Sequence, residues 1–219
     1  MPAQFYVLVD GPNWDNAADT DALKADGTNR GEAPRCPACC KYTGMRSWLP
    51  PYRVELETWG SEFGDLAFLG GGDDILVSLR FKQLWNKHRL VGLSGFEPVK
   101  VLNVTRNRKI QGDPPAYFKA AVVASQAIVD FEASGYEWLK GPPTCSVCRI
   151  GDGVKRWKGT VVDPATWRGE DIFVPRATAD FVTSERFKDF CEANAIKNAV
   201  LVPAETHGHD FYPGGEPDA

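Results

Sequence analysis

The sequence predicts an α+β protein of two pseudo-repeated halves, each with a small sheet and a helix, joined by a four-cysteine site resembling a zinc ribbon. Three observations lead there. Two Cys-x-x-Cys pairs, Cys36/Cys39 and Cys145/Cys148, lie 109 residues apart (145 − 36). Two segments, "GDLAFLGGGDDILVSLRFKQLW" from Gly64 and "EDIFVPRATADFVTSERFKDFC" from Glu170, align without a gap at an offset of 106 (170 − 64). The strand signals are short and separated by helical patterns of modest length, which suits small sheets. At 219 residues the chain can bury a core without staples, so we expect one compact unit over 1–219, with halves at approximately 36–110 and 145–205.

The internal match preserves pattern as well as letters. Asp65 falls on Asp171, Asp74 on Asp180, Ser78 on Ser184, and Arg80-Phe81-Lys82 on Arg186-Phe187-Lys188. In each copy an apolar strand (Ile75 to Val77; Phe181 and Val182) leads to a Ser that can cap a helix. Phe81, Leu84 and Trp85 then share one helical face, as do Phe187, Phe190 and Cys191. Each helix is followed by an apolar segment ending in proline, "LSGFEP" and "AVLVP".

Elsewhere, residues 4 to 10, "QFYVLVD", read as a strand ending at the turn signal Asp10-Gly11-Pro12. The polar stretch from Asn13 to Arg35 suggests a surface excursion with one short helix. Tyr52, Val54, Leu56 and Thr58 alternate with Arg53, Glu55 and Glu57, a half-exposed strand. From Tyr117 to Phe131, Ala and apolar residues recur at helical spacing, with Pro114 and Pro115 before and Gly135 after. That predicts a long helix, or a helix running into a strand. The end, "HDFYPGGEPDA", reads as a frayed tail.

The N-terminus has no basic start, and the apolar run Phe5 to Val9 is too short for a signal-peptide core or a membrane span. A soluble cytoplasmic protein with no membrane partner is expected. In a reducing compartment, cysteine spacing points to metal before disulfides. Cys-x-x-Cys lets two sulfurs chelate from one tight turn, and two such turns complete a tetrahedron. Cys36, Cys39, Cys145 and Cys148 are therefore expected to hold one structural zinc per chain, with no open position for catalysis. Cys40 could exchange with Cys39 as ligand, and Cys191 reads as a buried free thiol. The formal charge of −4 becomes about −6 once four thiolates and one Zn²⁺ are counted (−4 − 4 + 2). Such a protein suits a basic partner better than a phosphate backbone.

Other chemistry is thinner. His207 and His209 could pair on a metal but read as solvated, and His88 suits a helix C-terminus. An Asp10 ending the first strand before Gly-x-Asn resembles the opening of PIN-like nucleases, which would need further carboxylates from Asp73, Asp74, Asp130 and Asp180 to hold a hard cation. A zinc-ribbon nucleic-acid binder would use Arg106, Arg108, Lys109, Lys155 and Arg156, which fall in two separate stretches. The acidic run Glu55, Glu57, Glu62, Asp65, Asp73 and Asp74 could face a basic partner.

Taken together, the N-terminal strand, "CPACCKYTG", "FGDLAF", "CSVC" and the closing "DIFVPRATADFVTSERFKDFCEANAI" resemble the double-CXXCG motif family of myxobacteria. That resemblance spans most of the chain and implies an immunity protein to a swarming-inhibition toxin: a non-enzymatic inhibitor that binds one cognate protein toxin and has no small-molecule substrate. The chain departs from the family pattern after each knuckle, where Cys40 and Arg149 stand in place of glycine, the residue that eases a positive-φ turn.

Overall fold

The computed structural model describes residues 4–10, 17–70, 74–106, 110 and 112–211. In chain order the strands β1 (Phe5–Val9), β2 (Thr20–Lys24), β3 (Arg53–Thr58), β4 (Leu66–Leu69) and β5 (Asp74–Ser78) lead to helix α1 (Leu79–His88). Next come β6 (Leu93–Pro98), β7 (Lys100–Arg106), β8 (Tyr117–Val122), β9 (Ala124–Val129), and the short β10 (Glu137–Trp138), β11 (Val154–Trp157) and β12 (Val162–Asp163). The chain closes with β13 (Ile172–Arg176), β14 (Phe181–Ser184), helix α2 (Glu185–Ala193), β15 (Val200–Pro203), a 3₁₀ turn at Ala204–Thr206 and β16 (His209–Asp210). The architecture is sheet-rich α+β, and no helix among the described residues is long and apolar enough to cross a membrane.

Two large sheets share one strand order. The first runs β6-β8-β5-β4-β2-β3-β7, and the second, read from its other edge, runs β15-β1-β14-β13-β9-β12. Position by position the senses agree: antiparallel at β6/β8 and β15/β1, at β8/β5 and β1/β14, and at β5/β4 and β14/β13. Both sheets then have a parallel pair, β4/β2 and β13/β9, and an antiparallel one, β2/β3 and β9/β12. Register agrees too, for Leu66 pairs with Val77 as Ile172 pairs with Thr183. β1 lies in the sheet of the second aligned segment, and β8 in that of the first.

Ser78 and Ser184 cap the two helices, each hydroxyl accepting from the N–H three residues on, Phe81 at 3.1 Å and Phe187 at 3.2 Å. The helices meet through their aromatic faces. Phe81 lies 5.8 Å from Phe190 and Trp85 6.2 Å from Phe187, in a core that also takes Leu8, Leu66, Ile75, Val77 and Ile172 from both sheets. Truncating a fully buried ring such as Phe81 or Phe187 to Ala costs about 3–5 kcal/mol. Separate cores cover the outer faces, one around Trp48, Val54 and Leu56, the other around Phe5, Val7 and Phe173.

The long helix expected over 117–131 is instead the two strands β8 and β9. β8 lies between β5 and β6 with side chains covered on both faces, and such a strand reads as a continuous apolar run that mimics a buried helix. β9 alternates as strands do, Ser125, Ala127 and Val129 inward and Ala124 and Gln126 outward. Within 13–35, the described part forms β2 paired with β3, not a helix. β3 itself alternates as expected, Val54, Leu56 and Thr58 buried and Arg53 and Glu55 exposed.

Candidate metal centre

Each Cys-x-x-Cys pair sits in a long excursion from the equivalent place in its sheet: 25–52 between β2 and β3, and 130–161 between β9 and β12. Inside each, the chain makes the same tight turn. The Cys40 N–H donates to Cys36 O and the Arg149 N–H to Cys145 O, both at 2.9 Å. Cys40 has φ 61° and Arg149 φ 57°. The left-handed conformation that glycine would ease is thus adopted without it, at a cost of about 1 kcal/mol per residue.

The turns bring four sulfurs together. Sγ of Cys36 is 3.8 Å from that of Cys145, Sγ of Cys39 is 3.5 Å from that of Cys148, and all four lie within 4.8 Å of one another. A tetrahedral ion with metal–sulfur bonds of about 2.3 Å requires sulfurs about 3.8 Å apart. The set therefore fits a metal ion, and it is the only group of three or more His, Cys, Asp or Glu among the described residues that meets that spacing. Cys36 and Cys148 are buried, Cys145 is half-buried and Cys39 exposed. Cys39, not Cys40, supplies the fourth sulfur.

Backbone dipoles already favour thiolate here. N–H groups of Cys148 and Val147 point at the Cys145 sulfur and draw its thiol down to about 6. At Cys36, burial works against the thiolate, but N–H groups of Cys39 and Ala38 outweigh it and the thiol is lowered. Cys39 is the opposite case: the Lys41 N–H favours its thiolate, yet burial and the sulfurs of Cys148, Cys145 and Cys36 push it up to about 12. Crowded thiols sharing protons are where a cation relieves the most repulsion. A further clasp joins the turns, since Lys41 Nζ lies 2.6 Å from Asp152 Oδ1 and donates to Ile150 O at 3.3 Å.

Far from the sulfurs, the two aligned segments lock one another reciprocally. Buried Asp65 accepts from Ser78 Oγ at 2.7 Å, from Arg80, and from the Lys197 N–H just beyond α2 at 3.0 Å. Buried Asp171 accepts from Ser184 Oγ at 3.1 Å, from Arg186 at 2.9 Å, and from the Val91 N–H just beyond α1 at 2.8 Å. Arg80 also donates to Asn194 O, and Arg186 to His88 O. Each segment thus holds the end of the other segment's helix. The matching letters alone do not reveal this role, although the Asp-to-Ser and Asp-to-Arg spacings of 13 and 15 recur in both segments.

Of the other residues singled out above, Asp10, Asp74, Asp180 and His207 line one cavity of about 390 Å³, but among the described residues no three of them come close enough to share an ion. Asp74 is paired with Lys119 at 3.1 Å and Lys24 at 4.0 Å, and Asp130 caps a turn by accepting from the Glu132 and Ala133 N–H groups. Asp180 accepts from Thr160, with His207 3.9 Å away. His209 instead packs on Phe211, at 4.4 Å between rings. His88 ends α1, and Cys191 is buried, its thiol pushed up by that burial. Desolvation and the Asp21 carboxylate push Asp10 up to about 7. Of the expected basic residues, Arg106 is spent on Ile110 O and Gly112 O, and Arg156 on Glu137, while Lys155 lies on β11. Nor is the acidic run one face: Asp65 and Asp74 are buried in the pairs above, Glu62 pairs with Lys197, and Glu55 is exposed. Asp73, Arg108 and Lys109 lie outside the described residues.

No protein-family model matches the chain, and no curated protein matches it in sequence.

Proposed function

We propose that the chain is a zinc-binding immunity protein, which binds and neutralises a cognate polymorphic toxin in the cytoplasm of the producing or kin cell. The observation that carries this reading is the closure of two distant Cys-x-x-Cys turns on one another, sulfurs inward, in the element order of the double-CXXCG family. Four thiolates select a soft or borderline ion, and with every position protein-supplied, a zinc there acts as a cross-link. The residues that hold it are Cys36, Cys39, Cys145 and Cys148. On this reading the protein is not an enzyme; it works by occupying its partner.

The same reading treats the molecule as an internal duplication. One unit runs β1 to β6 and the other β8 to β15, wider than 36–110 and 145–205, and each unit inserts its first strand, β1 or β8, into the sheet of the other. Equal strand order, equal register and the reciprocal Asp65 and Asp171 locks support it.

Co-expression with the protein encoded beside it tests the function. Rescue of growth, with a stable complex of the two proteins, is expected. Absence of both binding and rescue contradicts the reading, and nuclease activity abolished by Asp10→Asn would replace it with the PIN-like one.

A further inference from the structure

The two knuckles share a backbone turn but not a surface. Around the second, Phe131, Tyr136, Trp138 and Trp157 pack ring against ring, with the Arg149 guanidinium 4.5 Å from the Phe131 ring. Beside the first lies an open groove of about 790 Å³ whose side chains include Arg30, Glu32, Arg35, Tyr42 and Arg46. Three arginines against one carboxylate give the groove a charge of +2 (3 − 1), so the rest of a chain of net −4 carries −6 (−4 − 2). A positive site in an otherwise negative molecule needs a reason.

Arg30 and Arg35 are positioned but not neutralised, and Arg46 is exposed at the groove. Arg35 lies over the Tyr42 ring at 3.9 Å and donates to Tyr42 Oη and, at 3.1 Å, to Cys40 O. Arg30 donates to Gly27 O at 3.1 Å. These are neutral acceptors, and Arg30, Arg35 and Arg46 take part in no ion pair among the described residues. The groove walls are held as well: bridges join Arg30 to Trp48 and Arg35 to Tyr42, and Trp48 is buried in the core. Because Arg35 bonds the carbonyl of Cys40, the turn that presents Cys39 also aims this side chain.

We propose that this groove is the docking site for a carboxylate-rich segment of the protein partner, a step that rests on the binding role above and says where it is exercised. Arginine forks pair with carboxylates bidentately, and pre-positioned ones lose little freedom on binding. Arginine is also among the residues that dominate interface energetics. The surrounding −6 repels a long polyanion such as nucleic acid but leaves a short acidic segment free to enter one +2 groove.

The test uses the full metal-loaded chain and labelled octaglutamate, followed by anisotropy, with octalysine and an octauridylate alongside. Saturable binding of octaglutamate is expected, weakened about tenfold or more by Arg46→Glu and by added salt. Arg46 makes no side-chain hydrogen bond or ion pair among the described residues, so that variant should keep its metal content and melting curve; Arg30→Gln serves as a second, milder variant with the same expected direction. No octaglutamate binding, binding unchanged in both variants, or tighter binding of octauridylate overturns the proposal. The probe is not the toxin, so failed neutralisation and failed groove binding are read separately.

Discussion

The two strand–strand–helix segments and the two knuckle excursions make an instructive contrast. The segments agree in register, cap, helix termination and the partners of a buried Asp: after α1 the Leu90 N–H returns to Trp85 O, and after α2 the Ile196 N–H returns to Cys191 O. The excursions agree only in the turn that presents two sulfurs, and around it one carries arginines and the other aromatic rings. Where each segment holds the other, substitution is costly on both sides at once. Where a loop faces solvent beyond a clustered cysteine, only the turn is constrained. Even inside the locked region one position differs informatively. Gly92 has φ +116°, and a Cβ there would stand 1.9 Å from Ile172 O; its counterpart Asn198, φ 62°, instead reaches Leu66 O with its amide at 3.0 Å.

The largest effect should come from breaking the knuckles together. On the proposed zinc site, Cys145→Ser removes one of four ligands, and structural zinc sites contribute on the order of 10 kcal/mol of binding free energy. Metal content should fall well below one ion per chain and the melting temperature should drop; an unchanged melting curve in a metal-free protein would remove the site from the account. Next come the locks. Asp65→Ala and Asp171→Ala each strand a buried hydroxyl, a backbone N–H and an arginine, and each should cost about 3 kcal/mol by denaturant unfolding. Near-equal losses are the point, because they sharpen the equivalence; a large loss at one and none at the other would break it.

Glycine substitution distinguishes the knuckles on a smaller scale. Cys40→Gly should stabilise by about 1 kcal/mol, because it relieves a positive φ. Arg149→Gly should gain little, since it also removes the cation–π contact with Phe131, worth about 0.5–1 kcal/mol. Equal gains in thermal unfolding would show that Arg149 does nothing there beyond filling the turn.

The smallest effect is a slope. Asp10 follows β1 where Val122 ends β8, and its carboxyl titrates near 7 in the fold, above its ordinary 3.8. A raised carboxylate pKa means the folded state holds the proton more tightly. Ionisation therefore costs stability increasingly as pH climbs from about 4 to about 7, with the full penalty above that. Asp10→Asn should be more stable than the parent at about pH 8, with the advantage fading toward pH 4. A pH-independent difference in melting temperature would contradict the assigned shift.

Much of this was legible in the residues, and what was not has a physical cause. Local chemistry could be read locally: Ser78 and Ser184 as caps, the alternation in β3, and the sulfur-bearing turns. Phe81 and Phe187 were placed correctly because a helical face needs only its own period. Within 117–131, β8 resembles a helix because a strand covered on both sides lacks the alternation that marks one, and the alternating β9 follows after the single residue Val123, so the two strands read as one run. Strand partners of β1 and β8 have no local signature at all, since pairing across more than a hundred residues is decided by which core each strand closes. Nor could spacing choose between Cys39 and Cys40; the φ of 61° at Cys40 turns the chain so that Cys39 faces Cys148.

The central claim, that two distant cysteine turns close on a single ion, is tested most directly by X-ray absorption at the zinc edge on the purified protein, combined with elemental analysis. The account predicts one zinc per chain in a shell of four sulfurs at about 2.3 Å. Two zinc ions per chain, a shell completed by nitrogen or oxygen, or no bound metal in a folded protein would contradict it.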